Sequence, residues 1–285
     1  MKEQFRLLSV NNPINPKYLD PEKLNVSYTT NKPFPHIVLD NFIDEKLVKG
    51  ILDEFPDLSK VKSGVEHHYP SEKKFLTRGF SDLSPKAFEL ISYLNSDLFL
   101  TYLQKLTGIE EFLISDPYLE GGGYHEIKNG GLLKVHVDFN KHYLTNLDRR
   151  ISLLLYLNPG WKEEWGGNLE LYYENNLNSP CVSITPEFNR CVIFSTTSFT
   201  YHGNPDQVHC PSDMSRKSIA LYYFSSGRPK SEISTIHGTL FVGTKGDKVN
   251  QHVTIRSLVK DLLPPLLVRY IKKLVRKKAI EPYKN

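Results

Sequence analysis

From residue 112 to residue 225 the chain is written in short β-type runs: FLISDPYL, LLKVHVDF, ISLLLYLN, NLELYYEN, VSITP, RCVIFSTT and SIALYYFS. Turn text separates them, namely GGG at 121–123, Gly130-Gly131, NPG at 158–160, NSP at 178–180 and Pro205-Asp206. So many strands with so few helices between them predict an antiparallel jelly roll or barrel. In that architecture, inward side chains at one mouth can converge on a small ligand or a metal.

Upstream of this core, PFPHIVLDNFI alternates into a strand. DEKLVKGILDEFP then places Leu47, Val48, Ile51, Leu52 and Phe55 on one helical face that ends at Pro56. Residues 57–84 are charged and turn-rich and read as a loop over the active-site mouth. Phe88, Leu90, Ile91, Leu94, Leu98 and Leu103 then predict one or two helices packed outside the sheet. The expected chain is mainly β with flanking helices, an α+β arrangement. We divide it into an N-terminal arm (1–33), a strand with supporting helices (34–111), the barrel core (112–230) and a C-terminal extension (231–285). At 285 residues and 39% hydrophobic, one large domain can fill its core.

Three cysteines, Cys181, Cys191 and Cys210, are odd in number and form no C-x-x-C pair, which argues against a disulfide framework or a zinc knuckle. The N-terminus lacks a secretory h-region, and no run of 18 apolar residues exists. A reducing, cytoplasmic location is expected. The formal charge of +4 comes from the C-terminal end: residues 256–285 carry nine Lys or Arg against two acids, leaving −3 on the rest. Within it, LLVRYIKKLVRKKAI sets Leu267, Ile271, Leu274 and Val275 opposite a basic face. A docked helix with a solvated cationic back and a surface anchor on anionic membrane through 264–285 both stay open. No aromatic-interleaved motif supports specific nucleic-acid binding.

Three residues carry the chemistry. His136 and Asp138 stand two positions apart in KVHVDFN, so on an extended chain both leave from one side. His202 follows 64 positions after Asp138 in FTYHGNP. Their types and order match the two-histidine, one-carboxylate set that holds non-haem Fe(II) and leaves open positions. A chain with ten histidines also yields His-x-Asp pairs by chance, and a strand histidine can be purely structural. Arg216, 14 residues beyond His202, opens the alternating run RKSIALYYF, and its planar fork suits the far carboxylate of 2-oxoglutarate chelated at such a metal. Ser218, on the same face, can add a hydroxyl donor. Gly166-Gly167 reads as a close approach of strand to strand rather than a hinge. Trp161 and Trp165 suit either the substrate mouth or simple burial. Arg149 and Arg150 are expected to cap the ISLLLYL strand in solvent, with a role toward an acidic substrate group as the alternative.

With these blocks in place, the segment from about Tyr124 to Ser225 resembles the catalytic domain of the prolyl 4-hydroxylase-like 2-oxoglutarate and Fe(II)-dependent dioxygenases. The likeness lies in the metal pair followed, in order, by ISLLLYLNPGW, EEWGGNLELY, NRCVIFSTTSFTYHG and SRKSIALYYF. It implies a double-stranded β-helix, the jelly-roll or cupin-like barrel. It implies His136, Asp138 and His202 as iron ligands, Arg216 as partner of the 2-oxoglutarate C5 carboxylate, and Tyr156 as a hydroxyl assisting it. His125 or Tyr124 falls near a further co-substrate contact. An aspartate at 138, rather than the small residue of related halogenases, points to hydroxylation of an unactivated C–H by O2, with succinate and CO2 as co-products. The primary substrate, whether protein or peptide, metabolite or glycan precursor, stays open. So do a need for ascorbate and a reading as a non-catalytic binding module.

Overall fold

In a computed structural model, residues 12–243 are described. Residues 244–285, which include the basic stretch, lie outside the described residues, as does the start of the arm. Four helices precede or flank the sheet: α1 (Pro21–Thr30), α2 (Glu45–Asp53), α3 (Pro85–Leu94) and α4 (Asp97–Thr107). The strands are β1 (His36–Asp40), β2 (Val65–Tyr69), β3 (Glu72–Leu76), β4 (Leu113–Ile114), β5 (Gly123–Ile127), β6 (Leu132–Val137) and β7 (Asp148–Tyr156). They continue with β8 (Leu169–Tyr172), β9 (Val182–Ile184), β10 (Arg190–Ser195), β11 (Tyr201–Asn204), β12 (Arg216–Ser225) and β13 (Leu240–Phe241).

All thirteen join one antiparallel sheet in the order β1-β10-β7-β12-β5-β3-β6-β11-β8-β9, with β2 on β3, β4 on β12 and β13 on β6. The sheet curls on itself as a jelly-roll-like half-barrel, the mainly β architecture expected. Its core follows from the period of two along the central pair. Ile151, Leu153, Leu155, Ile219, Leu221 and Tyr223 face outward and are buried under the helices. Ser152, Leu154, Ser218 and Tyr222 face inward to a cavity. On the outer side Leu90, Ile91 and Leu94 of α3 meet Phe99 and Leu103 of α4, and the Tyr223 hydroxyl donates to the Leu94 carbonyl at 3.0 Å.

The helices start where side chains can satisfy their first amides. Asp44 accepts from the Leu47 N–H ahead of α2, and Ser84 and Ser96 accept from Ala87 and Phe99 ahead of α3 and α4. Gly108, at φ 71°, ends α4.

Several expectations need correction. The first thirty residues are not merely a polar arm: α1 is a helix whose Tyr28 is fully buried, its hydroxyl 2.8 Å from Ser195 Oγ. Residues 57–84 are not a loop, because β2 and β3 form a hairpin there and β3 inserts between β5 and β6. Phe88 does not belong to the buried stripe of α3; it is 50% exposed, packed edge-on against Phe80.

Candidate metal centre and co-substrate cavity

His136 lies next to the end of β6 and His202 lies on β11, directly opposite it in the register. Asp138 follows two residues after His136, just past the strand. Nitrogen and oxygen atoms of the three lie within 4.8 Å of one another and all three side chains are buried. His136 Nε2 is 3.6 Å from Asp138 Oδ1, and His202 Nε2 is 3.4 Å from Oδ2. The other ring nitrogen of each histidine faces a backbone carbonyl: His136 Nδ1 lies 2.8 Å from Lys134 O and His202 Nδ1 lies 3.0 Å from Thr200 O. A carbonyl only accepts, so both Nδ1 atoms carry the proton and both Nε2 lone pairs point at the shared space. Burial lowers the His136 pKa and keeps the ring neutral, as a metal ligand requires. Burial alone would raise Asp138, but the Arg149 guanidinium holds it well below the usual carboxylate range.

Arg149 is the largest departure from expectation. Neither it nor Arg150 caps a strand in solvent: they are 1% and 4% exposed. Arg149 Nη2 donates to Asp138 Oδ2 at 2.6 Å and to Ser152 Oγ at 2.9 Å, and the guanidinium lies 3.5 Å from the Tyr222 ring centre. Arg150 instead bonds Glu111, Ser225 and Gly227 outside the cavity. Simple alternation would group Arg149 with outward Ile151. The register explains the change, because Tyr223 opposes Ile151 and Phe224 opposes Arg149, leaving Arg150 as an extra residue. Such a bulge turns the side chains beyond it to the other face.

A narrow cavity of about 70 Å3 connects the three metal-type side chains to Arg216, Ser218 and His125. Arg216 is 6% exposed; its Nε donates to Gly167 O at 2.6 Å and an Nη to the Tyr156 hydroxyl at 3.2 Å, with the guanidinium over the Tyr156 ring. Gly166 and Gly167 have φ of 67° and 72°, and a Cβ at 167 would come within 3.0 Å of Arg216 Cδ. The close approach expected of this pair is therefore made to an arginine side chain. Of His125 and Tyr124, it is His125 that lines this cavity. Adjacent strand residues face opposite ways, and Tyr124 points outward to Ser84 and Phe55. His125 Nε2–H donates to Gly121 O at 2.9 Å, and burial with the nearby Lys74 and Arg216 charges depresses its pKa to about 3.

Besides Arg149, the polar lining residues Lys74 and Asn204 also escaped the sequence reading. Lys74 reaches in from β3, a strand not foreseen, and Asn204 lies two positions after His202, with a buried Nδ2 that has no partner. Period-two spacing from His202 would have found Asn204; nothing local marks Lys74. The two tryptophans sit away from the metal-type residues. Trp161 packs with Ile127 and Val208, edge-on to Trp165, and donates to Gly166 O at 3.0 Å.

Residues 122–224 match the 2OG-Fe(II) oxygenase superfamily. The stretch from about Tyr124 to Ser225, whose motif order resembles such a domain, coincides with that match. Among curated proteins, the mouse prolyl 3-hydroxylase OGFOD1 is 24% identical over 202 residues, which cover 67% of this chain and 33% of that protein. The chain thus spans about a third of the length of this relative. Two solved structures have the same fold at a TM-score of 0.52. One is a Trichoplax adhaerens prolyl hydroxylase in complex with a hypoxia inducible factor peptide, 18% identical, covering 73% of this chain and 91% of that one. The other is a Pseudomonas putida prolyl-4-hydroxylase, 16% identical, covering 73% and 100%. Among the described residues, no helix is long and apolar enough to cross a membrane.

Proposed function

We propose that the protein is an Fe(II)- and 2-oxoglutarate-dependent dioxygenase that hydroxylates an unactivated C–H. The observation that carries this reading is the convergence of two proton-free Nε2 atoms and one ionised carboxylate on one space, with a buried arginine in the same cavity. The donor set fits a divalent iron: one carboxylate and two neutral imidazoles leave coordination positions open, and thiolate is absent. In this reading His136, Asp138 and His202 hold the metal, and Arg216 grips the C5 carboxylate of 2-oxoglutarate with help from Ser218 and His125. Bound there, iron and 2-oxoglutarate supply the oxidising power of O2, with succinate and CO2 as co-products.

The chain's own residues aim and enclose that chemistry. The Lys134 and Thr200 carbonyls fix the two imidazole planes. Arg149 fixes the Asp138 carboxylate through Oδ2 while Oδ1 stays free of it. Tyr156 and the Gly167 carbonyl lock the Arg216 fork before any co-substrate arrives, so little ordering is left for binding. Leu154, Leu169 and Phe194 line the cavity and exclude water.

The test is succinate release by iron-loaded protein given 2-oxoglutarate and O2. Stimulation by proline-containing peptides supports a peptide substrate of the kind held by the Trichoplax relative. Stimulation by metabolites or sugars alone moves the assignment to small molecules, and no iron-dependent succinate under any condition rejects the reading.

A further inference from the structure

Beside the metal cavity lies a separate groove of about 600 Å3. Its floor is the Pro33–Phe34–Pro35 segment that leads into β1, its two lips are the turn after β8 and the loop between β10 and β11, and Glu232 closes one end. Side-chain packing joins the groove lining to the cavity lining. Phe34 packs on Phe194 with ring centres 6.2 Å apart, and Phe194 packs on His202 at 4.9 Å. Thr200, which lines the groove, offers its carbonyl to His202 Nδ1. An occupant lying here runs alongside a metal-ligand candidate without entering its cavity. That position suits a segment flanking the reacting group in a long molecule, and a small metabolite held in the inner cavity would leave it unused.

The lining defines the chemistry of that segment. Tyr173 and Phe199 stand on the two lips, 42% and 48% exposed, where aromatic rings cover apolar stems and face cations. Among the described residues, the only ionisable side chains besides tyrosine on the lining are two carboxylates, Glu174 and Glu232. Glu232 sits 3.8 and 3.9 Å from Arg150 and Arg228. Glu174 is exposed and in no ion pair among the described residues. Behind the wall the Tyr172 hydroxyl donates to Glu170, which adds a further carboxylate. Both lips are preformed: Tyr173 and Asn176 close a bridge with a 3.0 Å bond, and Thr197 N–H donates to Thr200 Oγ1 at 3.0 Å while Ser198 Oγ is 2.7 Å from His237 Nε2.

Resting on the dioxygenase reading above, we propose that the primary substrate is a polypeptide and that this groove takes an extended segment of it carrying lysine or arginine beside the hydroxylated residue. The aliphatic stem lies on Tyr173 and Phe199, and the cation meets Glu174.

Fluorescence anisotropy of the full chain tests this with fluorescein-labelled nonapeptides of repeated glycine-proline-lysine and of repeated glycine-proline-glutamate. The lysine peptide should bind about tenfold tighter than the glutamate one. Glu174→Lys should weaken the lysine peptide roughly fivefold and narrow or reverse the preference, and Tyr173→Ala should weaken it about tenfold. Both positions are exposed, so neither variant threatens the fold. Equal binding of the two peptides, or indifference to both substitutions, overturns the proposal. So does displacement by spermine as effective as by unlabelled peptide, which marks a small-cation site. Displacement by a synthetic 256–285 peptide at lower concentration overturns it too, by assigning the groove to the chain's own basic end. Iron-dependent succinate release, with and without each peptide, is measured on the same proteins. Its absence alongside an intact peptide preference rejects the oxygenase reading alone, and the converse rejects the groove alone.

Discussion

Arg149 and Asp138 form a buried ion pair at 2.6 Å, with the arginine 1% exposed, inside the cavity that the two candidate ligand histidines share. The pair keeps Asp138 ionised before any metal arrives, and it restrains one carboxylate oxygen while the second remains 3.6 Å from His136 Nε2.

Removing one member of such a pair leaves an uncompensated buried charge, at a cost of about 3 kcal/mol. Arg149→Ala should therefore lower the melting temperature of metal-free protein by several degrees. Mn(II), bringing positive charge to Asp138, should restore much of that loss. Thermal scans with and without Mn(II) check this; an equal loss in both conditions would place the arginine's role elsewhere.

His136→Ala and Asp138→Ala should each abolish retention of Fe(II) or Mn(II) and succinate formation, while the protein stays folded. Metal content after gel filtration, read beside a circular dichroism spectrum, is the measurement. Turnover surviving Asp138→Ala would end the ligand assignment.

Arg216→Ala should spare metal binding and raise the 2-oxoglutarate concentration needed for half-maximal rate by about a hundredfold, the scale of a lost buried charge-assisted contact. Gly167→Ala should act on the same constant without touching the co-substrate. A Cβ there meets Arg216 Cδ and Val208 Cγ2 at 3.0 Å, on a backbone at φ 72°. Displacing the fork should raise the requirement roughly tenfold with metal affinity unchanged.

His125 is neutral in the folded state down to about pH 3, whereas in the unfolded chain it takes a proton below its ordinary 6.5. The unfolded state therefore binds more protons between those values, and stability from this group, complete above pH 6.5, falls as pH drops. The slope is at most ~1.4 kcal/mol per pH unit. Urea unfolding at pH 7, 6 and 5 should show a shallower decline for His125→Gln than for wild type; parallel declines would contradict the assignment.

Asn140 fastens the segment that runs across the rim. Its Nδ2 donates to Ser234 Oγ at 3.0 Å and to Thr235 O at 2.8 Å, and its Oδ1 accepts from His237 N–H at 3.0 Å. Beyond that clamp, Phe241 lies over His136 with ring centres 5.5 Å apart. Asn140→Ala should raise amide hydrogen exchange across residues 234–241 while the β7 and β12 amides stay protected. Unchanged exchange would show that β13 pairing alone holds the segment.

Much of this protein is determined locally and was legible in the chain. Period-two runs between Gly, Pro and Asn turns specify antiparallel strands, because side-chain alternation and turn backbone need only neighbouring residues. The same rule put His136 and Asp138 on one side and Arg216 with Ser218. The helical face of α2, and Leu90, Ile91 and Leu94 on α3, were legible from their spacing for the same reason.

Contacts between distant segments decided the rest. The bulge at Arg150, set by its pairing with β12, turned Arg149 from the outer face to Asp138. The insertion of β3 between β5 and β6 brought Lys74 into the cavity from a stretch with no period of its own. The groove beside His202 joins residues near 34, 173, 199 and 232, which no spacing rule connects. Alternation is a property of one strand, whereas register, insertion and groove walls exist only once strands have chosen their partners.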